Sequence, residues 1–324
     1  MNFIRLSTWK NKLAPFLCLM YAFFCTSSYV NFEIKVRVIF FLLTGIILVA
    51  VWASLVNNYY DVEVDVKAGK PNGMTVISPF LRKLSLVFCL MVGLIFCNFI
   101  MPNKIAVLFY SLSWICFFLY SSNITRFKEK PFFDLLSDGL ASQFFPSLFI
   151  FAYLFGDNFG DNYFFIFSGS FWLLLSMGVR ALIMHQYCDE EKDRQAGLNT
   201  YVLGTNVTIR KKVESFLMIF EVVFFAIFAL SIHWVTLIIP ILLYGIWFLV
   251  LIKHTNLKIV YFNLNVGGRY RIFLYNAYVL FVFCLLGFLC WQDYKNIIFV
   301  FLHLFLFHFA IVVKMWQSLK LNVY

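Results

Sequence analysis

Two groups of acidic side chains repeat one spacing in distant parts of the chain. Asp61 and Asp65 lie four residues apart in the first group, and Asp189 and Asp193 repeat that spacing in the second. Residues four apart share one face of a helix, where like charges repel. Mg²⁺ commonly binds one or two carboxylates together with phosphate oxygens of a substrate. The repeated pairs therefore predict a magnesium site that receives a phosphate-bearing substrate.

Further polar residues accompany the two pairs. Asn57 and His185 each lie one helical turn before a pair and extend its face. The loop between the pairs carries Arg126 and Lys128, and such bases bind diphosphate oxygens. One pair by itself is commonly a set of solvated charges at a helix end. The repetition of the pair, with bases between, favours the functional interpretation.

The elements that position these residues are predicted to be membrane helices. The chain is 62% hydrophobic and only 13% charged, whereas a soluble domain has about 25% charged residues. A helix needs about 20 apolar residues to cross the hydrocarbon layer. The sequence predicts an all-α polytopic membrane protein with a single domain over 1–324. The ten predicted spans are 13–31, 36–56, 84–101, 104–120, 134–155, 163–186, 213–232, 234–253, 272–291 and 296–314.

The distribution of Lys and Arg predicts the orientation. Of the 26 Lys and Arg residues, 21 fall in the two termini and in alternate loops, including those that carry the acidic pairs. Positive loops stay in the cytoplasm, so both termini and the acidic loops are expected there, in a bacterial inner membrane. The net charge of +10 then indicates attraction to anionic membrane lipids, and nucleic acid is not an expected partner. The sequence leaves the oligomeric state open.

These motifs resemble those of the UbiA superfamily of intramembrane prenyltransferases, and the resemblance extends from about residue 10 to 290. The family's first motif, Asn-Asp-x-x-Asp-x-x-x-Asp, is matched by Asn57, Asp61 and Asp65, with Asn58 in place of an aspartate. The second, Asp-x-x-x-Asp before Gly-x-x-Thr, is matched by Asp189, Asp193, Gly197 and Thr200. Between the two motifs the family often has a Tyr-Ser pair, then two basic residues, then an Asp. This chain matches that pattern at Tyr120, Ser121, Arg126, Lys128 and Asp134.

The resemblance implies a bundle of nine transmembrane helices, with 296–314 as a tenth, and motifs at the cytoplasmic mouth of a central cavity. It implies magnesium-dependent transfer of a prenyl group from an allylic prenyl diphosphate to a lipophilic or aromatic acceptor. The implied magnesium ligands are Asn57, Asp61, Asp65, Asp189 and Asp193. The implied substrate-binding residues are Asn57, Asn58, Lys67, Lys70, Tyr120, Arg126, Lys128 and Lys192. The four aspartates and His185 are the candidate catalytic residues.

Three features keep alternative interpretations. One interpretation of His185 is that it orients a metal ligand or accepts the proton that the acceptor loses. The other is that it makes a hydrogen bond between helices. Arg180, inside the sixth span, binds an acceptor carboxylate or pairs with Glu221. Helix capping suffices to explain Asp134 and Asp138, which begin the fifth helix.

Two other functions remain open at this stage. A terpene cyclase of the same fold would use the same motifs, because the substrate's own double bonds would capture the cation. A transporter typically has broken helices with polar groups at the membrane midplane. Here the polar residues gather at one face of the membrane, which favours the enzyme.

Overall fold

Apolar sequence forms helices in this chain because a helix satisfies its own backbone polar groups inside hydrocarbon. The computed structural model describes residues 6–27, 30–67, 69, 71–195, 197–255 and 267–308, and no strand occurs within these ranges. The α-helices there are α1 Leu6–Thr26, α2 Phe32–Tyr60, α3 Val62–Lys67, α4 Pro79–Ile100, α5 Lys104–Ser121, α6 Phe133–Gly139, α7 Phe145–Phe155, α8 Tyr163–Leu173, α9 Ala181–Gln195, α10 Tyr201–Gly204, α11 Val207–Ile232, α12 Trp234–Thr255, α13 Gly267–Gln292 and α14 Ile297–His303.

Two long helical rods form the middle of the chain. A π-helical segment, Leu140–Phe144, joins α6 to α7 in the first rod, and a second one, Leu174–Arg180, joins α8 to α9. A 3₁₀ segment between the rods begins at Gly156, whose φ of +54° is one that glycine adopts readily. Since α6 packs against the second π segment and α7 against α8, the rods run antiparallel.

The all-α membrane architecture is confirmed, and the number of spans stays a prediction. Five described helical stretches are long and apolar enough to cross a membrane: Phe32–Tyr60, Pro79–Ile100, Lys104–Ser121, Phe133–Gln195 and Val207–Ile232. The fourth of these stretches, Phe133–Gln195, contains both rods and the break at Gly156. Shorter apolar helices lie at Leu13–Thr26, Trp234–Leu243, Leu280–Gln292 and Tyr294–Phe307.

Two predicted spans differ from the helices at their ends. The expected span 13–31 was too long, because α1 ends at Thr26, where the sequence turns polar. The expected tenth span, 296–314, is helical from Ile297 through the π segment that ends at His308. Its last residues, 309–314, lie outside the described residues.

The described chain forms two compact units. The larger contains Phe40–Phe225 and every described residue of the predicted site. In the other, which draws on Lys10–Ile39 and the chain after residue 225, the ring of Tyr21 lies 5.5 Å from that of His303. The amide of Gln292 donates to the backbone oxygen of Cys25 at 3.0 Å in the same unit. One domain over 1–324 stays a prediction.

The two rods approach each other closely inside the larger unit. A Cβ on Gly178 would lie 2.9 Å from the Cα of Gly139, so backbone meets backbone there. Arg180, two residues later, is fully buried and pairs with Glu221 of α11. The expected ion pair is therefore confirmed, and it joins the second rod to α11. A buried charge in a membrane helix commonly has such a partner.

Candidate active site

The first acidic pair lies where α2 continues into α3. The helical hydrogen-bond pattern runs across the junction. The Asp61 N–H donates to the backbone oxygen of Asn57 at 3.0 Å, and the Asp65 N–H donates to the backbone oxygen of Asp61 at 2.8 Å. The four-residue spacing therefore keeps Asn57, Asp61 and Asp65 on one face. This confirms the shared face that the sequence predicts.

The second acidic pair lies on the last turns of α9, beyond the apolar part of its span. His185 Nδ1 lies 3.3 Å from Asp189 Oδ2, one turn further along the helix. The helix ends where Gly197 adopts a φ of +69° and the Leu198 N–H donates to the backbone oxygen of Asp193 at 3.0 Å. Glycine in this conformation is a common helix ending. The chain then turns toward Thr200.

Both acidic pairs line one cavity of about 210 Å³. Eight of the predicted site residues contribute to its wall: Asn57, Asp61, Asp65, Tyr120, Lys128, His185, Asp189 and Asp193. Glu129, Gln186 and Thr200 also line it. Acidic pairs that are more than a hundred positions apart in sequence thus meet around one cavity, which agrees with the single site that their repetition predicts.

The remaining predicted site residues lie elsewhere. Asn58 is buried, while Lys67 and Lys192 are exposed. None of these three is among the described residues that line the cavity. Arg126 lies near it, with Nη2 3.7 Å from Asp61 Oδ1. Lys70 lies outside the described residues. Their roles in binding substrate stay predictions.

Lys128 projects from the loop between α5 and α6 and forms an ion pair with Asp61. The loop conformation depends on Arg126, whose φ of 44° begins a 3₁₀ turn and whose guanidinium Nε donates to Glu129 at 2.6 Å. The side chains of Lys128 and Asp61 are each only 11% exposed. Burial lowers the pKa of Lys128, and the Asp61 carboxylate opposes that shift.

Asn72 is a site residue that the sequence did not reveal. Its side-chain amide donates to Asp65 Oδ2 at 2.8 Å and to the backbone oxygen of Asn58 at 2.9 Å. Its own oxygen accepts from the Met74 N–H at 2.9 Å. Asn72 precedes a glycine, and this pair is an ordinary turn signal. No sequence feature therefore distinguished Asn72 from a loop residue without a role in the site.

Asp134 does more than the helix capping expected of it. This fully buried carboxylate accepts from the Leu135 N–H, but Oδ2 also accepts from Gln186 Nε2 and from the Tyr201 N–H, each at 2.8 Å. Gln186 in turn accepts from the Val202 N–H at 3.1 Å. One carboxylate thus joins the start of α6 to α9 and α10. The sequence showed the aspartate but not its distant partners.

Thr200 supplies a hydroxyl group to the cavity wall. Its residue is 8% exposed, and the part of the chain that the structure describes offers the hydroxyl no hydrogen-bond partner. A buried polar group without a partner is costly, so such groups usually have an explanation. A phosphate oxygen in the cavity would satisfy the hydroxyl.

The oxygen ligands around the cavity fit magnesium that arrives with a phosphate-bearing substrate. Over the described ranges, no three His, Cys, Asp or Glu side chains form a ready-made metal site. Magnesium does not require one, because it commonly uses one or two carboxylates and takes its other ligands from phosphate and water. The four aspartates provide carboxylate oxygens from two walls of the cavity.

The fold and the cavity define a polytopic helical membrane protein with paired carboxylates around a polar cavity. The sequence model of the UbiA prenyltransferase family matches residues 14–258, which is more than half of the chain. The chain belongs to this family, and the resemblance seen in its motifs is confirmed.

Solved structures of a UbiA homolog from Archaeoglobus fulgidus have a similar fold. The one bound to DMAPP and Mg²⁺ has a TM-score of 0.60 and 18% sequence identity, covering 89% of this chain and 99% of that one. The one bound to GPP and Mg²⁺ has a TM-score of 0.57 at 18% identity, with 88% and 99% covered. The one bound to Cd²⁺ has a TM-score of 0.55 at 18% identity, with 87% and 99% covered. No curated protein sequence matches this chain.

Proposed function

We propose that this protein transfers a prenyl group from an allylic prenyl diphosphate to a lipophilic or aromatic acceptor in the membrane, with magnesium as cofactor. One observation carries the proposal: two carboxylate pairs from distant helices line a single cavity together with Lys128. Family membership supports prenyl transfer. The A. fulgidus homolog binds DMAPP or GPP with Mg²⁺, which supports the choice of substrate class and metal.

The magnesium ligands in this proposal are Asp61, Asp65, Asp189 and Asp193 with the Asn57 side-chain oxygen. Bound magnesium would neutralise the charge that develops on the departing diphosphate. The two acidic pairs would hold the metal from two walls of the cavity, and the diphosphate would bind there with it. Asn72 and its bond to Asp65 Oδ2 keep one of these carboxylates in place.

Lys128 and Thr200 are the proposed diphosphate ligands inside the cavity, because both line it and both carry donors. Arg126 reaches the same region beside Asp61. Lys67 and Lys192 are exposed and would attract the anion from solution. Asn58, which is buried beside Asn57, and Lys70, which lies outside the described residues, are proposed to bind substrate on the family motif alone.

The reaction then breaks the bond between the allylic carbon and the diphosphate oxygen and forms a bond to the acceptor. The leaving diphosphate keeps the electron pair, and the acceptor loses a proton. His185 lines the cavity next to Asp189 and is the proposed proton acceptor. Tyr120, also on the wall, would contact the substrate beside the diphosphate.

The proposed setting is a bacterial inner membrane with the cavity and both termini on the cytoplasmic side. This places the cavity where water-soluble diphosphate groups are available, while apolar helices receive the prenyl chain. The positive charge of the loops supports this orientation.

Diphosphate release by purified protein tests the function. The protein in detergent with magnesium receives geranyl, farnesyl or geranylgeranyl diphosphate, with and without lipid extract. Wild type is compared with Asp61→Ala, Asp189→Ala and the control Asp157→Ala, whose side chain lies in the exposed Gly156–Asn162 turn.

Release that requires magnesium, Asp61 and Asp189, with an adduct formed only with extract, supports the transferase. A hydrocarbon or alcohol formed without extract supports the cyclase instead. If folded protein releases no diphosphate under any condition, both the transferase and the cyclase function are contradicted.

A further inference from the structure

Asp61 is already neutralised by a cation of the chain itself. The Lys128 ammonium forms an ion pair with Asp61 Oδ1, and Arg126 Nη2 lies 3.7 Å from the same oxygen. Both partners of the ion pair are largely buried. A divalent metal at this oxygen would therefore lie next to a positive charge in a site that water screens poorly.

Arg126 and Lys128 differ in the other side chains that they contact. Arg126 Nε donates to Glu129 at 2.6 Å and its Nη1 donates to Asn123 at 3.1 Å, so its position depends on its own loop. Lys128 instead reaches across to Asp61, which belongs to another element. Lys128 is thus the cation that would leave Asp61 most readily if a better anion entered.

The opposite wall of the cavity shows a related arrangement. Asp189 has His185 3.3 Å and Lys192 4.0 Å from its oxygens, but those two side chains are 67% and 66% exposed. Solvent screens such exposed pairs, so they contribute little. The buried counterion at Asp61 is screened much less and can therefore control metal binding.

We propose that Lys128 is an exchangeable counterion that couples metal binding to diphosphate binding. It neutralises Asp61 before substrate binds and transfers to the diphosphate when this enters, which leaves Asp61 to the metal. The inference rests on the proposed function, since it assigns a binding order to the same site. By linkage, diphosphate and metal then each raise the affinity of the cavity for the other.

Manganese binding without any diphosphate tests the exchange. Mn²⁺ replaces Mg²⁺ because both prefer carboxylate oxygens, and the loss of its free aqueous signal in electron paramagnetic resonance measures binding. The variants are Lys128→Gln, Lys128→Met and Lys128→Arg. Lys130→Gln is the matched control, because Lys130 lies in the same loop but is exposed with its ammonium 5.4 Å from the Phe127 ring centroid.

Removal of the counterion should strengthen binding of the metal alone. We expect Lys128→Gln and Lys128→Met to lower the Mn²⁺ dissociation constant by about tenfold or more, because a close like charge has gone. Lys130→Gln should change it by less than about threefold, since exposed charges are screened. Lys128→Arg keeps the charge and should bind like wild type. Thermal unfolding and size-exclusion elution establish that each variant is folded.

A second titration contains geranyl S-thiolodiphosphate, which does not ionise readily. Wild type should then bind Mn²⁺ at least about tenfold more tightly than without it, and both charge-removing variants should show a smaller gain. If folded Lys128→Gln and Lys128→Met bind Mn²⁺ alone no better than wild type, while wild type binds it with the analogue, the exchange is overturned and the proposed function stands. If folded wild type binds no Mn²⁺ even with the analogue, the proposed function itself fails.

Discussion

Two uncharged side chains support the aspartates of the cavity, one by contacting Asp65 and one by lining the cavity. Asn72 fixes Asp65 by a 2.8 Å hydrogen bond, and Thr200 lines the cavity with a hydroxyl that has no partner within the described ranges. A carboxylate presents the same charge in any rotamer, but it binds a metal only from the right position. The amide and the hydroxyl are thus expected to affect affinity although neither carries charge.

Substitution of Asn72 by Ala should lower kcat/KM for the prenyl diphosphate by about ten- to hundredfold. A hydrogen bond to a charged group contributes about 1.5–3 kcal/mol, and about 1.4 kcal/mol corresponds to a factor of ten. Steady-state diphosphate release measures the change. Asn158→Ala, in the exposed Gly156–Asn162 turn, is the control and should behave as wild type. Equal activity in both variants would contradict the role of Asn72.

Substitution of Thr200 by Val should raise KM for the prenyl diphosphate by roughly tenfold. The free energy of unfolding should change little. Val keeps the volume but removes the donor, and the free protein loses no hydrogen bond because the described residues give the hydroxyl no partner. Thr200→Ser should restore most of the affinity. A Val variant with wild-type KM would show that the hydroxyl does not contact substrate.

At the scale of elements, the two helical rods determine where the second acidic pair lies. They touch through Gly139 and Gly178, while Asp134 joins α6 to α9 through Gln186 and to α10 through the Tyr201 N–H. A hydrophobic cluster packs beside these bonds, formed by Leu135, Leu174, Val179, Ile183, Tyr201 and Val202. The helix that carries the second acidic pair, α9, is therefore held in position by packing as well as by hydrogen bonds.

Substitution of Gly178 by Ala should lower the temperature of thermal unfolding in detergent. The added Cβ would meet the Gly139 Cα at 2.9 Å, so backbone must move, and overpacking of this kind costs about 1–3 kcal/mol. Gly287→Ala is the matched control, since a Cβ there meets nothing within 4 Å and alanine favours a helix. An unchanged melting temperature for Gly178→Ala would contradict the close approach.

Substitution of Asp134 by Asn should destabilise the protein and also reduce kcat. Asp134 Oδ2 accepts two hydrogen bonds, and an amide cannot keep all three bonds of the carboxylate without placing an NH₂ group against a donor. We expect a loss of about 1–3 kcal/mol in unfolding free energy. Asp138→Asn should have a smaller effect, because that side chain accepts one long bond, 3.5 Å, from Ser142. Equal melting curves for both variants would refute the positioning role.

At the scale of the whole molecule, one exposed cysteine reports the orientation of the cavity. Cys188 lies beside Asp189 and is exposed, whereas the other seven cysteines are buried or partly buried. A membrane-impermeant maleimide should therefore label Cys188 in inside-out vesicles and not in right-side-out vesicles. A cysteine placed at Asp157 in a Cys188→Ser background should show the reverse. Labelling of Cys188 from outside would overturn the predicted orientation.

The sequence by itself determined the class of the protein and predicted the centre of the candidate site. Apolar runs must become helices in a membrane, so α2 and the apolar span that leads into α9 follow from composition. Where each helix continues into its polar end, a spacing of four residues places the acidic pair on one face. The positive loops predict that both pairs lie on the cytoplasmic side. These are local properties, which depend on neighbours in the chain.

Only the tertiary structure decided which distant groups meet these acids. The ion pair of Lys128 with Asp61, the amide of Asn72 on Asp65 and the bonds of Asp134 join residues that sequence spacing does not relate. Arg126 and Phe132 take positive φ values that only their surroundings make favourable. Such contacts arise from how helices pack, and many packings satisfy the same apolar pattern. The cavity wall could therefore be known in full only from the folded chain.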